Sequence, residues 1–463
     1  MDMKLKLSEA AATLGVPFSG PDADVLRVST DSRSIRAGDL FIALRGERFD
    51  GGRFAAQALQ QGAAGVVLDA AQAPEVVHAI RVDDTRLALG RLAAAWRQRF
   101  AISVVAITGS NGKTTVKEML AAILQVEAGA TDAVLATEGN LNNDIGVPQM
   151  LLRLRSTHQF AVLEMGMNHA GEIGYLTRLA RPDVALVNNA LTAHIGNLGS
   201  VEAIARAKGE IFNGLTDAGI AIFNADDPHA WLWRNANVRR SIIDFGLCEP
   251  ATVRGQFMPT LYGSMLNVSL PNVTLDINLQ VPGQHNVMNA LAAVAAAFAL
   301  DVSHRSIVAG LSAYVGIKGR LQKKTGLHGA TFIDDTYNAN PDSVKAALAV
   351  LAQQPGRKVL VLGDMGELGA DAVTMHAQIG LVARDAGIDR LLALGDLSRE
   401  TVGAFGAGAM HFERIQELLA ELENELTADT TVLVKGSRFM QMERVVQSFM
   451  DYPTAMPAGN EEH

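Results

Sequence analysis

The sequence predicts an α/β protein of three domains: a small α/β unit, a central unit on a parallel sheet with a small antiparallel sheet added, and a second doubly wound α/β unit. Three observations carry this. The chain has 463 residues, more than a single core serves. Strand-length apolar runs alternate with helix-length segments from one end to the other. Val104-Val-Ala-Ile-Thr-Gly-Ser-Asn-Gly-Lys-Thr-Thr115 passes from a strand pattern through a glycine-rich turn straight into a helical pattern.

Composition narrows the class. Hydrophobic residues make up 48% and charged residues 19%, enough for packed cores. A net charge of −9 without a basic stripe argues against nucleic-acid binding, so an anionic ligand must be held locally by loops. The start carries no apolar signal-peptide core, and the most apolar helical stretch, Ala290 to Leu300, is too short to span a bilayer. The expectation is a soluble, cytoplasmic monomer. Cys248 has no cysteine partner and reads as a small buried apolar residue.

Over residues 1–99, Ser8 reads as the cap of a helix to Leu14, stopped by Gly15-Val16-Pro17. Strands are expected at 25–28, 39–44 and 65–68, with helices at 53–61 and 84–99 and Trp96 on the apolar face of the second helix. Thr30, Asp31, Ser32 and Arg33 form either a polar turn with local caps or a site for a polar, phosphorylated ligand.

Over residues 100–314, strands are expected at 103–107, 160–163, 184–187 and 219–223, with a helix from Val116. Ligands of such sheets gather beyond the carboxyl ends of the strands, which draws attention to Glu164 and to His194. Period-two patterns at 262–270 and 273–281 predict antiparallel strands, and helices at 285–300 and 303–312 follow. Residues 315–463 begin at a hinge, Gly316 to Arg320, and repeat the pattern with strands at 331–333, 359–362, 391–394 and 431–434. From Tyr452 the tail is polar and reads as loose.

The chemistry centres on the glycine-rich turn. Gly109 and Gly112 let the backbone at Ser110 and Asn111 curl its N–H groups toward one anion; Lys113 adds a full charge, and Thr114 and Thr115 open the helix. Thr114 offers a hydroxyl where a phosphate-bound Mg²⁺ would sit. Glu164 and His194 suit Mg²⁺ or Mn²⁺, or else are a helix cap and an exposed loop side chain. By spacing alone Lys208 is an exposed helix lysine. Asn286 and Asn289 stand at a helix start, where capping competes with contact to a base or ribose. Arg320, Asp335, Lys435 and Arg438 reach the phosphates only if the last domain swings over the central one. No Ser–His–Asp or Cys–His signature appears, and phosphoryl transfer needs only positioning and charge.

Seven segments together resemble the Mur ligase family: Thr108-Gly-Ser-Asn-Gly-Lys-Thr-Thr115, Thr137-Glu-Gly-Asn-Leu-Asn-Asn-Asp-Ile-Gly-Val-Pro148, Glu164-Met-Gly-Met-Asn168, Ala207-Lys-Gly-Glu-Ile211, Asp334-Asp-Thr-Tyr-Asn-Ala-Asn-Pro341, Gly363-Asp-Met-Gly-Glu367 and Lys435-Gly-Ser-Arg438. The segments at 140–143 and 337–341 point within the family to the branch that adds D-alanyl-D-alanine to UDP-N-acetylmuramoyl-tripeptide. The resemblance implies ATP and Mg²⁺ as cofactors and an acyl-phosphate intermediate. It implies a UDP-sugar domain over 1–99, an ATP domain over 100–314, and a Rossmann-like domain over 315–463 that closes over ATP and binds the dipeptide. Carried over by position, Lys113 steadies the phosphates, Thr114 and Glu164 hold Mg²⁺, and His194 joins a second metal site. Lys208 becomes a carbamate ligand, while Asn289, Arg320 and Asp335 touch the nucleotide. Thr30 to Arg33, Asp50, Gly51, Asn142, Asn143, Asn338, Asn340, Lys435, Ser437 and Arg438 become substrate contacts. Gly52-Arg53 departs from the family pattern beside the Asp50-Gly51 pair. A sister amide ligase is the nearest alternative, opposed by the 337–341 segment; an inactive protein on the same fold is opposed by the intact Lys113, Glu164, His194 and Lys208.

Overall fold

The phosphate-loop strand, Ser103–Thr108, sits where the strand order of the largest sheet reverses. That sheet has nine strands in the order Val134–Ala136, Phe160–Glu164, Ser103–Thr108, Val184–Val187, Ile220–Asn224, Ser241–Gly246, Val253–Thr260, Gly263–Leu270, Val273–Leu279. The computed structural model describes residues 3–46, 49–71, 76, 78–192, 195–260 and 262–450. Strands through Val253–Thr260 pair in parallel; the last two pair antiparallel. The period-two segment therefore extends the parallel sheet, as the small antiparallel sheet expected to be added to it. The reversal at Ser103–Thr108 leaves a crevice beyond its carboxyl end, where the loop sits.

The helix after the loop runs Lys113–Ala128, longer than the apolar pattern alone indicates. The alanine-rich helix Gln284–Ala299 packs beside it as a buried core helix, and among the described residues no helix is long and apolar enough to cross a membrane. A Cβ on Gly310 of the helix His304–Ser312 would overlap the backbone of Ile123, so this close crossing depends on glycine.

Two smaller sheets flank the large one. Arg27–Ser29, Asp39–Ile42, Gly65–Asp69 and Ala79–Val82 form a parallel four-stranded sheet. The expected strand at 25–28 divides at Leu26: Asp24–Val25 pairs with Leu5–Lys6, and Arg27–Ser29 joins the parallel sheet. Ser8 is not the helix cap. Glu9 accepts from the Lys6 N–H at 3.0 Å to start the helix at Leu7, and the Ser8 hydroxyl donates instead to Asp22 at 2.8 Å. The third sheet has the order Gln322–Thr325, Thr331–Asp335, Thr430–Lys435, Arg357–Gly363, Arg390–Leu394, Ala409–Phe412, all parallel except the first. Its two edge strands escape the sequence pattern because one is polar and the other short, as edges commonly are.

The cores are divided unevenly. One apolar cluster runs without interruption from Met3, Leu7 and Leu40 on the side of the small sheet to Val104, Met150 and Trp233 on the side of the large one. Trp96 lies within it and donates Nε1–H to Leu154 O at 3.1 Å. The two clusters on the faces of the third sheet contain only residues from Leu321 onward. Cys248 is exposed, contrary to the buried reading: it follows a strand end whose amides, its own included, are gathered by Asp226.

Candidate active site

The loop after Ser103–Thr108 is built by its own backbone and by two asparagines from the neighbouring strand end. Gly112 takes φ 80°, a left-handed turn that releases the chain into the helix at Lys113. Ser110 N–H donates to Asn189 O at 3.1 Å, and Asn111 N–H to Asn189 Oδ1 at 2.9 Å. Asn111 O accepts from Asn188 Nδ2 and Asn189 Nδ2 at 3.0 and 3.1 Å. Asn188 Nδ2 also reaches Asn289 Oδ1 at 2.9 Å, tying the loop to the helix Gln284–Ala299. Asn286 is not the cap of that helix; Gly283 occupies the cap position, and the Asn286 amide donates to Pro282 O at 2.7 Å.

This packing leaves no room at Gly112. A Cβ there would overlap the Asn289 and Asn188 amides, on a backbone angle that L-residues avoid. Gly112→Ala is therefore expected to weaken ADP binding by roughly tenfold or more, from about 1–2 kcal/mol of backbone strain plus the displaced amides. Calorimetric titration checks this; affinity equal to the parent chain would contradict it.

Charge converges on the same point. Lys113 Nζ donates to Gly109 O at 2.8 Å. Burial holds its pKa below the ordinary lysine value and nearby Arg320 lowers it further, while Glu164 opposes both. Glu164, 3% exposed, accepts from the Thr114 hydroxyl and from Asn142 Nδ2, each at 2.8 Å. It caps no helix. Its own N–H donates to Thr137 Oγ1 at 2.9 Å, and Thr137 O accepts from the buried Lys117 at 2.7 Å, which ties down the strand end that carries it. Thr115 is buried in the first turn.

The third sheet completes the enclosure. Arg320 Nη2 donates to the Thr114 hydroxyl at 3.0 Å while its guanidinium lies 4.3 Å over the Tyr337 ring. Asn111 and Asn340 exchange side-chain hydrogen bonds at 2.8 and 3.4 Å. Asp335 pairs with Lys435 Nζ at 2.6 Å, and burial pushes its carboxyl upward against that pull. Lys435 also donates to Asn338 O at 2.8 Å, the Ser437 hydroxyl donates to Ala339 O at 2.9 Å, and Arg438 N–H approaches Asn338 Oδ1 at 3.3 Å. Together the two sheets enclose a cavity of about 860 Å³ lined by Lys113, Glu164, Arg320, Asp335 and Lys435 among others. That volume suits a ligand of nucleotide size with a second group beside it.

Not every expected residue arrives here. His194 lies outside the described residues. Lys208 is 2% exposed, which overturns its surface reading: it stands in the last turn of the helix Val201–Gly209, where Ala205 O accepts from Trp233 Nε1–H at 2.9 Å. Its side chain forms no hydrogen bond or ion pair among the described residues, and burial followed by Lys113 holds its pKa well below the ordinary lysine value. Thr30 to Arg33, Asp50, Gly51 and Asn143 are not among the described residues that line the cavity. Asp31 and Arg33 form an exposed pair at 2.8 Å, and Asp50 and Asn143 cap local turns. The Thr30 hydroxyl accepts from Gln149 at 2.6 Å, which sets this turn beside the helix that follows Asn142 and Asn143.

Known families answer this arrangement. The Mur ligase middle domain matches residues 107–297, the Mur ligase glutamate ligase domain 319–438, and the Mur ligase family catalytic domain 25–97. The UDP-N-acetylmuramoyl-tripeptide--D-alanyl-D-alanine ligase of Escherichia coli K12 is 42% identical over 98% of this chain and 100% of its own length. This chain belongs to the Mur ligase family. A Bacillus subtilis Mur ligase of the same name is 38% identical over 92% of the chain and 93% of its own length. Among solved Mur ligases, MurF from Acinetobacter baumannii superposes with a TM-score of 0.89 at 39% identity, covering 96% of this chain and 97% of that one. MurF from Thermotoga maritima, solved in complex with ADP, gives 0.81 at 26% identity, covering 91% and 96%.

Several site residues of this Mur ligase had no sequence argument of their own. Asn188, Asn189, Asp226 and Asp227 all line the cavity. Asn188 and Asn189 follow the strand Val184–Val187, and Asp226 and Asp227 come within three residues of the end of Ile220–Asn224, so the carboxyl-end rule could have found them. His285 also lines it; burial lowers its imidazole to about 4, so it is neutral near pH 7.

Proposed function

We propose that this Mur ligase joins D-alanyl-D-alanine to UDP-N-acetylmuramoyl-tripeptide at the expense of ATP, in cytoplasmic precursor synthesis. The observation that carries the reading is the meeting at the Thr114 hydroxyl, where Glu164 accepts at 2.8 Å and Arg320, from the start of the third sheet, donates at 3.0 Å. Phosphate-loop hydroxyl, buried carboxylate and a cation from the opposite wall suit a phosphoryl group being transferred.

In this reading the loop amides and Lys113 hold the ATP phosphates, and Arg320 faces the transferring group from the far side. The tripeptide carboxylate oxygen bonds to the γ-phosphorus as the bond to ADP breaks. The dipeptide amine then bonds to the acyl carbon, loses its proton, and inorganic phosphate departs. Enclosure by both sheets protects the acyl phosphate from water. The donor set fits Mg²⁺: Thr114 and Glu164 present hard oxygens, and the buried carboxylate has only neutral direct partners, Thr114 and Asn142, among the described residues. The ion would neutralise charge developing on the phosphates. We assign the turn at 30–33 with Asp50 and Gly51 to the UDP-sugar, and Asn338, Asn340, Lys435, Ser437 and Arg438 to the dipeptide side. We also assign Lys208 as a carbamate: its buried amine has no acceptor among the described residues, and addition to CO₂ with loss of a proton would make it an anionic oxygen ligand. A carbonyl signal in ¹³C NMR under ¹³CO₂, absent in Lys208→Met, reads this without reference to turnover.

With ATP, Mg²⁺, both UDP-linked tripeptides in separate runs, and D-alanyl-D-alanine, phosphate release is expected only when every component is present. Release that ignores the dipeptide would overturn the proposal, and the faster of the diaminopimelate and lysine tripeptides identifies the substrate.

A further inference from the structure

The helix Pro341–Ala352 of the third sheet does more at its start than cap itself. Asn340 accepts from Ser343 N–H and meets Asn111 of the phosphate loop through its side chain. Two residues on, Asp342 Oδ2 accepts from Thr192 N–H at 3.1 Å and from the Thr192 hydroxyl at 2.6 Å. Thr192 lies in the segment 188–192, which follows the strand Val184–Val187 of the large sheet and underlies the phosphate loop. Within that segment Leu191 N–H donates to Ser110 Oγ at 2.9 Å, Leu191 O accepts from Ser110 at 3.2 Å, and Ala190 N–H is held by Asp227 at 2.7 Å. Two successive points of one helix thus grip the loop and the strand end that supports it.

We propose that Asp342 is a positioning residue that couples the seating of the third sheet to the order of the phosphate loop, acting through Thr192 and not by touching the phosphates. A carboxylate taking two bonds on one oxygen is among the stronger polar contacts. Its partner segment supplies the Asn188 and Asn189 bonds that shape the loop. When the contact forms, loop and helix start are locked together; when it opens, segment 188–192 loses its outer support. The alternative is that Asp342 only favours its own helix as an acidic residue in the first turn. Thr192 separates the two, since altering it leaves the helix untouched.

The proposal rests on the ligase reading for its kinetic arm and is independent of it for its structural arm. Asp342→Ala and Thr192→Val are each expected to lower kcat/KM for ATP, the first by roughly tenfold to a hundredfold, with melting temperatures near the parent value. The double variant should fall no further than Asp342→Ala, because both changes remove one interaction. Asp342→Asn, which keeps an acceptor oxygen but not the charge, should recover part of the loss. Spin labels at Val126→Cys and Val373→Cys in a Cys248→Ser background, on exposed positions of the two units, should report a broader and longer distance distribution in Asp342→Ala and in Thr192→Val than in the parent. Parental kinetics in Asp342→Ala, multiplying effects in the double variant, or an unchanged distribution would overturn the coupling. A parent chain that makes no amide product would overturn the ligase reading alone, and the label distances would still decide the clamp.

Discussion

Replacing Lys113 with methionine is expected to lower kcat by about a thousandfold or more, the scale at which positioned charges act on phosphoryl transfer. The chain length is kept and only the charge is lost. Lys113 is a single cation placed at the start of the helix Lys113–Ala128, its ammonium held at 2.8 Å by Gly109 O and so aimed across the loop. No other described residue occupies that position; Arg320 approaches from the opposite wall and stays engaged with Tyr337. Burial already disfavours the charged amine, so methionine should leave the melting temperature unchanged or slightly raised. Single-turnover phosphate release alongside a melting curve tests both halves. A variant with more than about a tenth of parental kcat would remove Lys113 from the reaction.

Lys208→Met should separate stability from activity. In CO₂-depleted buffer the parent buries an amine with no acceptor among the described residues, and relieving it should stabilise the fold by about 1–3 kcal/mol. Activity should nevertheless fall by a thousandfold or so, on the scale of other charged groups at such sites. The sign with pH follows from the lowered pKa. Between the folded value and the ordinary 10.5 the unfolded chain binds the extra proton, so parental stability rises with pH in that window and the advantage of the variant shrinks toward 10.5. Denaturant titrations of both proteins across that range measure the difference directly; a constant gap would mean that the buried amine is not the cause. Lys208→Ala supplemented with a short carboxylate should regain part of the lost turnover, whereas full turnover without it would exclude the carbamate.

The alternation of apolar runs made the parallel strands legible, because strands covered on both faces read as unbroken apolar segments. Glu164 was legible for the same reason: it ends such a run. What stayed hidden depended on partners distant in sequence. Lys208 looked like a surface lysine because helical spacing cannot show burial by partners distant in sequence. Ser8 was misread since the capping acceptor sits at Glu9, reaching backward. Cys248 was placed in the core on residue type alone, yet it lies where Asp226 turns the backbone outward. Asp342 gave no signal, as one acidic residue in a first turn is ordinary and its partner stands 150 residues earlier.

The unbroken apolar cluster that runs from Leu7 to Trp233 sets the number of moving parts. Two sheets that share one interior cannot rotate against each other without opening that interior to water, whereas the third sheet shares none of it. The small parallel sheet and the large sheet therefore share one core, and the third sheet has cores of its own. The turn at Thr30 and the loop at Gly109 stand on that one interior, whereas the wall carrying Arg320 and Lys435 meets the loop through polar contacts such as Arg320 on Thr114, Asn340 on Asn111 and Asp342 on Thr192.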